Sequence, residues 1–309
     1  MNIIEINDPV YGKHIIKEPI LVDLINSKTF QRLGKIGNKG FPKDLSDLYF
    51  TRLEHSLGVL IILELVGAKL EEKITGLLHD INHAAFSHTY DILKGDLNED
   101  HQDNNFFSFL KNNKEINDIF KKYNINLNIL EDLEKYTLLE LSAPDTCADR
   151  LDYSIREYYY RTKEPDFIKN IFSNLTVIDN KLIFKNKESA KSFANAYMYV
   201  IINDFNNPIK VEKKFIFIDL LKRALDINVI SLSDFLETEE VIEKKIYSSS
   251  DEFIVKTLKQ LRNNEIIVTT PRYVKKRYID PRYLNENKEI IKLTESDKEF
   301  KEKIENYLK

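Results

Sequence analysis

The stretch GLLHDINHAAFSHTYD, residues 76–91, decides how this sequence is interpreted, because it places the dipeptide His79-Asp80 beside further histidines. Five of the chain's six histidines lie close together in the sequence: His55, His79, His83, His88 and His101. Imidazole is the commonest metal ligand and the side chain that carries protons near neutral pH. The stretch therefore predicts a chemical site.

Two aspartates complete the pattern. Asp80 follows His79 directly, and Asp149 lies in APDTCADRLDY at 143–153. An isolated His-Asp dipeptide is more simply explained as a helix cap, but this one is accompanied by histidines before and after it. Two imidazoles and two carboxylates suit a borderline or hard divalent ion such as Mn, Fe, Mg or Zn. The sequence thus predicts a metal-dependent hydrolase, with ligands His55, His79, Asp80 and Asp149.

Composition limits the class of protein. Hydrophobic residues make up 42% of the 309 residues, and the net charge of −4 gives no global basic field for nucleic acid. The longest apolar run, LGVLIILELVGA at 57–68, contains Glu64 and is too short to span a bilayer. The single cysteine, Cys147, and an opening without a secretory pattern favour a reducing compartment. We therefore expect a cytoplasmic protein with no membrane partner.

Helical periodicity dominates the chain, including residues 103–122, 129–143 and 145–162. The clearest hairpin is LTVIDNKLIFKN at 175–186, in which Asp179-Asn180 supply the turn. Strands around a turn are predicted at about 264–283, and a terminal helix over about 288–308. The pattern predicts a mainly α fold with a small β-hairpin and a smaller α+β C-terminal part.

Five segments, in this order and spacing, resemble the HD-domain superfamily and, more narrowly, the deoxynucleoside triphosphate triphosphohydrolases. They are INDPVYGKHI, FQRLGKIGNKG, TRLEHSLGV, LLHDINHAAFSHTYD and DRLDYSIRE. The likeness covers about residues 5–160. It implies an HD catalytic core at 1–165 with a helical region at 166–309 packed on it. It also implies hydrolysis of a dNTP at the α-phosphate to deoxynucleoside and inorganic triphosphate.

The resemblance assigns roles residue by residue. It implies metal binding by the same four ligands, and catalytic roles for His83 and His101. In the family, the matching positions bind phosphate, stack on the deoxyribose or bind the 3′-hydroxyl. The implied substrate-binding residues are Asn38, Arg52, His88, Arg150, Tyr153 and Glu157.

Some positions depart from the family pattern. Tyr11 stands where close relatives have a histidine, and Asn38 stands where many have a longer amide that contacts the sugar. Asn26 and Gly34 replace residues that bind an activating guanine nucleotide in some relatives, so we do not expect GTP regulation of that type. A homo-oligomer, dimer or higher, is expected by resemblance, and another nucleotide activator stays open.

The sequence alone leaves three functions open. The leading one is dNTP triphosphohydrolysis. The second is a phosphodiesterase or nuclease acting on another nucleotide or on DNA ends with the same metal site. The third is a nucleotide-sensing regulator with little turnover. The segment RYVKKRYIDPRY at 272–283 mixes basic residues with tyrosines and leaves nucleic acid open as a partner, although an exposed basic strand explains it more simply.

Overall fold

The computed structural model describes residues 3–97, 101–270, 272 and 274–309, without the side chains of residues 101–103. The first half contains an N-terminal hairpin and a series of helices. These elements are β1 (Ile4–Asp8), β2 (Gly12–Ile16), α1 (Pro19–Asn26), α2 (Lys28–Gln31), α3 (Arg52–Leu65), α4 (Leu70–Leu78), α5 (His88–Leu93), α6 (His101–Asn112), α7 (Lys114–Lys122) and α8 (Ala148–Thr162).

The second half adds a small mixed sheet and further helices. Its elements are α9 (Pro165–Ser173), β3 (Leu175–Ile178), β4 (Lys181–Phe184), α10 (Lys187–Val200), α11 (Pro208–Asp226), α12 (Glu239–Tyr247), α13 (Glu252–Arg262), β5 (Arg282–Leu284), β6 (Ile290–Lys292), α14 (Leu293–Ser296) and α15 (Lys298–Leu308). A π-helical turn, Ile201–Phe205, continues α10. The predicted mainly α fold class with a small C-terminal sheet is confirmed.

Helix α3 is the central element of the site. It begins with a capping box, in which the Thr51 side chain accepts from the Glu54 amide and the Glu54 carboxylate accepts from the Thr51 amide. Apolar side chains cover most sides of α3 and are buried. The helix packs against both α4 and α8, so ligands from all three helices can meet beside it.

The apolar core does not follow the boundary expected near residue 165. One buried cluster includes Val59 of α3, Leu151 of α8, Phe193 of α10 and Phe300 of α15. Side chains from both sides of the boundary therefore share one core, and the division at 165 stays a prediction.

The hairpin predicted at 175–186 is confirmed. Strands β3 and β4 pair antiparallel, with Leu175 opposite Phe184. Asp179 and Asn180 both have positive φ, 49° and 54°, as the favoured two-residue hairpin turn requires. Strand β4 then pairs in parallel with β5, and β5 pairs antiparallel with β6.

Three sequence predictions place elements wrongly. Among the described residues of 264–281 there is no strand, and Ile267 is 77% exposed, so its side chain packs on no sheet. The strands of this region are β5 and β6. The terminal helix starts later than 288, after β6. Residues 129–143 form mostly turns and irregular backbone rather than an α-helix, and the amides of Leu138 and Leu139 bond to the Glu72 carboxylate.

No helix in the described part of the chain combines the length and the hydropathy needed to cross a bilayer.

Candidate metal centre

Four side chains from three helices converge beside the buried face of α3. His55 lies one turn into α3, His79 and Asp80 directly follow α4, and Asp149 lies in the first turn of α8. His55 Nε2 is 3.0 Å from Asp149 Oδ1 and 3.7 Å from Asp80 Oδ2. His79 Nε2 is 3.5 Å from Asp149 Oδ1 and 3.6 Å from Asp80 Oδ1. The four predicted ligands therefore present their donor atoms to one another.

The hydrogen bonds on the far side of each imidazole fix which nitrogen faces the cluster. His79 Nδ1 lies 2.7 Å from the Gly76 carbonyl oxygen, which can only accept, so Nδ1 carries the proton. His55 Nδ1 likewise lies 2.8 Å from Asp152 Oδ2. In the neutral tautomers, the Nε2 lone pairs of both rings thus point toward the carboxylates of Asp80 and Asp149.

These donor atoms fit a divalent ion. Two lone pairs and two carboxylates that face one another repel unless positive charge lies among them. Ligands held at about 2.1 Å from one ion, at angles between right and tetrahedral, are roughly 3.0–3.4 Å apart. The observed separations of 3.0–3.7 Å are close to that range. His55, His79 and Asp80 also form a group compact enough to hold a metal.

The pKa values show that a proton on His55 can take the place of that positive charge. Burial alone would lower the pKa of His55, but its hydrogen bonds to Asp149 and Asp152 outweigh burial and raise the pKa to about 10. Burial would raise the pKa of Asp149, whereas the imidazoles of His55 and His79 hold it below its usual range. The carboxylates thus attract positive charge to the place where a cation would lie.

A buried network behind His55 was not predicted from the sequence. Asp152 is fully buried and accepts hydrogen bonds from Arg156 Nε at 3.1 Å, Arg156 Nη2 at 2.9 Å and the Tyr11 hydroxyl at 2.8 Å. Arg156 also donates to Asp8 Oδ2 at 2.9 Å. These bonds hold Asp152 against His55 Nδ1, and they orient the imidazole for metal binding.

Arg52, predicted to bind phosphate, contacts Asp80, one of the predicted ligands. Its Nη1 donates to Asp80 Oδ2 at 2.7 Å, and its Nε donates to Ser87 Oγ at 3.1 Å. Only 6% of Arg52 is exposed. The guanidinium therefore positions the Asp80 carboxylate, and it holds the pKa of Asp80 well below its usual range against the opposing effect of burial.

His83 and His88 lie next to the cluster but differ in their surroundings. His83 is buried, with Nε2 3.1 Å from Asp80 Oδ1, and burial together with Arg52 lowers its pKa to about 4. His83 is thus a neutral imidazole at pH 7. His88 is 35% exposed by side chain, and its Nδ1 lies 3.0 Å from Asp91 Oδ2. Asp91 therefore fixes the orientation of the His88 ring.

The remaining substrate residues predicted from the resemblance are engaged with other side chains. Arg150 Nη2 is 2.8 Å from Glu140 Oε1. The Tyr153 hydroxyl is 3.1 Å from the Tyr197 hydroxyl. Glu157 is fully buried and is paired with Lys39 and Arg161.

The structure describes little of the surroundings of two further predicted residues. Asn38 is half-buried, and its backbone amide donates to the Phe50 carbonyl at 2.9 Å. His101 is the first residue of α6, but its side chain lies outside what the structure describes, so its predicted catalytic role stays a prediction.

Spacing in the sequence could have indicated some of the site residues that the sequence analysis did not name. Asp152 follows Asp149 by three residues and precedes Arg156 by four, which places all three on one side of α8. Asp91 follows His88 by three residues. No local spacing links Ser87 with Arg52, which meet only through the fold.

Comparisons with known proteins identify the family of this chain. The HD domain family matches residues 52–155. The uncharacterized protein YdhJ of Bacillus subtilis is 33% identical over 295 residues, which cover 93% of this chain and 90% of YdhJ. The metal-dependent phosphohydrolase cns2 of Cordyceps militaris is 31% identical over 277 residues, covering 85% of this chain and 75% of cns2.

Two further similarities are more distant. The deoxynucleoside triphosphate triphosphohydrolase SAMHD1 of Gallus gallus is 30% identical over 198 residues, covering 54% of this chain and 30% of SAMHD1. The crystal structure of a phosphohydrolase from Bacteroides thetaiotaomicron shares the fold, with a TM-score of 0.73 over 94% of each chain at 18% identity.

Proposed function

Since this chain belongs to the HD-domain superfamily and is a metal-dependent phosphohydrolase, we propose that it hydrolyses deoxynucleoside triphosphates at the α-phosphorus, releasing deoxynucleoside and inorganic triphosphate. The observation that carries the proposal is the convergence of His55, His79, Asp80 and Asp149, with the His88–Asp91 pair beside them. The similarity to a relative named for this activity supports the choice of substrate.

In the proposed reaction, an oxygen of water forms a bond to the α-phosphorus and the bond from phosphorus to the nucleoside 5′-oxygen breaks. A divalent ion bound by the four ligands would stabilise negative charge on the phosphate and make water a better nucleophile. The departing 5′-oxygen needs a proton. A histidine is suited to supply it, and His88 is a candidate because Asp91 holds its Nδ1 and fixes the ring.

The remaining residues orient and hold the reacting groups. Arg52 and His83 flank the two oxygens of Asp80. His88 and Asp149, with side chains 35% and 22% exposed, are the most accessible members of the group, so a phosphate would approach past them. Tyr153 and Glu157 are proposed to lie along the nucleoside, with Glu157 oriented by Lys39 and Arg161.

A second candidate is hydrolysis of one phosphate ester at a time, by a phosphodiesterase or nuclease that acts on another nucleotide or on DNA ends. It is favoured because two arginines near the site are already paired with carboxylates of the protein. Arg52 is paired with Asp80, and Arg150 is paired with Glu140. A triphosphate carries about four negative charges and needs several unpaired donors, whereas one phosphate could be held by a metal and His88 alone.

The test is a substrate screen with the purified protein and Mn²⁺. Each dNTP, an equimolar mixture of the four, nucleoside monophosphates and a single-stranded oligonucleotide are incubated separately, and products are separated by anion-exchange chromatography. Deoxynucleoside together with inorganic triphosphate supports the first candidate. Inorganic phosphate from monophosphates, or shortened oligonucleotide, supports the second.

The matched control is Asp149→Asn, which preserves size but weakens metal binding. Turnover that survives this change unaltered would come from a contaminant or another site. The screen is repeated with Mg²⁺, Fe²⁺ and Zn²⁺ in place of Mn²⁺. If the wild-type protein releases no triphosphate from any dNTP or mixture with any of these four metals, the dNTP proposal fails.

A further inference from the structure

The start of α12 touches the loop that carries His83 and His88. Glu239, the first residue of α12, is 2% exposed. Its Oε1 accepts hydrogen bonds from the amides of Gly37 at 2.9 Å and Phe86 at 3.1 Å, and its Oε2 lies 3.3 Å from the Tyr49 hydroxyl. One carboxyl group thus joins two loops that are distant in sequence and adjacent in space.

The loop that Glu239 holds has an unfavourable backbone. Phe86 and Ser87 both have positive φ, 64° and 45°, a region in which residues other than glycine are strained. Such a conformation persists only when neighbouring groups determine it. The Phe86 ring packs edge-on to Phe217 with centroids 5.0 Å apart, and the Glu239 carboxyl fixes the Phe86 amide.

From this loop a chain of hydrogen bonds leads to a metal ligand. Ser87 Oγ donates to the Gly37 carbonyl at 3.0 Å and accepts from Arg52 Nε at 3.1 Å. Arg52 Nη1 in turn donates to Asp80 Oδ2 at 2.7 Å. Because Glu239 fixes the amides of both Gly37 and Phe86, it sets the two backbone positions between which the Ser87 hydroxyl lies.

We propose that Glu239 is a positioning residue of the metal centre, acting on Asp80 through Ser87 and Arg52. Glu239 lies outside residues 52–155, the part that matches the HD domain, so the C-terminal region would contribute to the metal site as well as to the core. The neighbouring backbone supports the same junction: Arg32 donates to the carbonyls of Glu237 and His83 at 2.8 and 2.6 Å.

The experiment compares Glu239→Ala, Glu239→Gln and Glu240→Gln. Ala removes the acceptor from two buried amides, whereas Gln keeps an acceptor oxygen at the same place. Glu240 is a matched control, since it is adjacent but exposed and is paired with exposed Lys35. Mn²⁺ affinity is measured by calorimetry at 4 °C on protein shown to be folded, together with the melting temperature.

We expect Glu239→Ala to weaken Mn²⁺ binding by about ten-fold, in the range seen when outer partners of metal ligands are removed. Glu239→Gln should restore affinity to within about three-fold of wild type, and Glu240→Gln should leave it unchanged. Affinity for the metal alone does not depend on the identity of the substrate, so this test stands apart from the dNTP assay.

Ser87→Ala tests the intermediate link, and it should weaken Mn²⁺ binding in the same direction as Glu239→Ala. The proposal is overturned if Glu239→Ala lowers the melting temperature but binds Mn²⁺ as tightly as wild type, which is the behaviour of a purely structural residue. It is also overturned if the Glu239 variant loses affinity while the Ser87 variant keeps it. Should Glu239→Ala not fold, Glu239→Gln and Ser87→Ala decide by the same measurement.

Discussion

Gly58→Ala should destabilise this protein, although alanine is the better helix former. Gly58 lies on α3 three residues after His55, where α8 approaches closely. A Cβ at Gly58 would lie 1.9 Å from Asp152 Oδ1 and 2.3 Å from Arg156 Nη2, far inside contact distance. Neither side chain can move aside easily, because both are fully buried and bonded to each other.

The magnitude follows from two opposing effects. Replacing glycine by alanine inside a helix gains about 1 kcal/mol. Displacing one member of a buried ion pair loses about 3–5 kcal/mol. The net loss is about 3 kcal/mol, which for a chain of 309 residues lowers the melting temperature by roughly 5 °C. Because Asp152 also orients His55, Mn²⁺ affinity should fall together with stability.

The assay is thermal unfolding by calorimetry, with Mn²⁺ titration of the folded protein. Gly34→Ala is the matched control, since a Cβ there would lie 3.6 Å from the nearest atom, Leu53 Cδ1, an ordinary contact. If Gly58→Ala melts at or above the wild-type temperature and binds Mn²⁺ normally, α3 and α8 do not approach each other as closely as described. The proposed role of Asp152 in orienting His55 is then refuted as well.

Three further outcomes are expected. Asp152→Asn should reduce Mn²⁺ affinity by about 10–100-fold, measured by calorimetry, because an amide is a weaker acceptor for His55 Nδ1–H and loses the charge paired with Arg156; unchanged affinity would contradict this. Burial raises the pKa of Glu239 to about 7 in the folded protein. The stability linked to this shift, roughly 3 kcal/mol, is complete below about pH 4 and is lost as the pH rises through 7. The melting temperature of Glu239→Gln should therefore fall less than that of wild type between pH 5 and 8, and parallel curves would contradict the shift. Saturating Mn²⁺ should raise the melting temperature of wild type but not of Asp149→Asn, and an equal rise in both would place the ion elsewhere.

The sequence was informative where local pattern determines structure. The turn at Asp179-Asn180 was predictable because few residues adopt positive φ readily and because alternating apolar residues flank it. The helices that carry His55, His79 and Asp149 were predictable from apolar periodicity. Segments whose backbone amides bond to groups distant in the sequence were not predictable. The amides of Leu138 and Leu139, for example, bond to the Glu72 carboxylate.

The same distinction applies to the candidate site. The convergence of the four predicted ligands could be anticipated because residue type and order resemble a known pattern. The partners of those residues could not, because a sequence does not tell whether an arginine faces solvent or a neighbouring carboxylate. Arg52, Arg150 and Glu157 were each predicted to contact substrate, and each is engaged with another charged group of the protein. Three-dimensional proximity, rather than spacing, decides such pairings.

The core shared by Val59, Leu151, Phe193 and Phe300 also constrains how this molecule can be cut or recombined. A gene fragment that encodes only residues 1–165 would retain all four predicted ligands but leave the apolar faces of α3 and α8 without α10 and α15. Such a fragment would expose hydrophobic surface and would be expected to aggregate before it could bind an ion. An insertion or deletion in the C-terminal half therefore removes packing from the N-terminal helices that hold the predicted ligands, even when it lies far from any histidine.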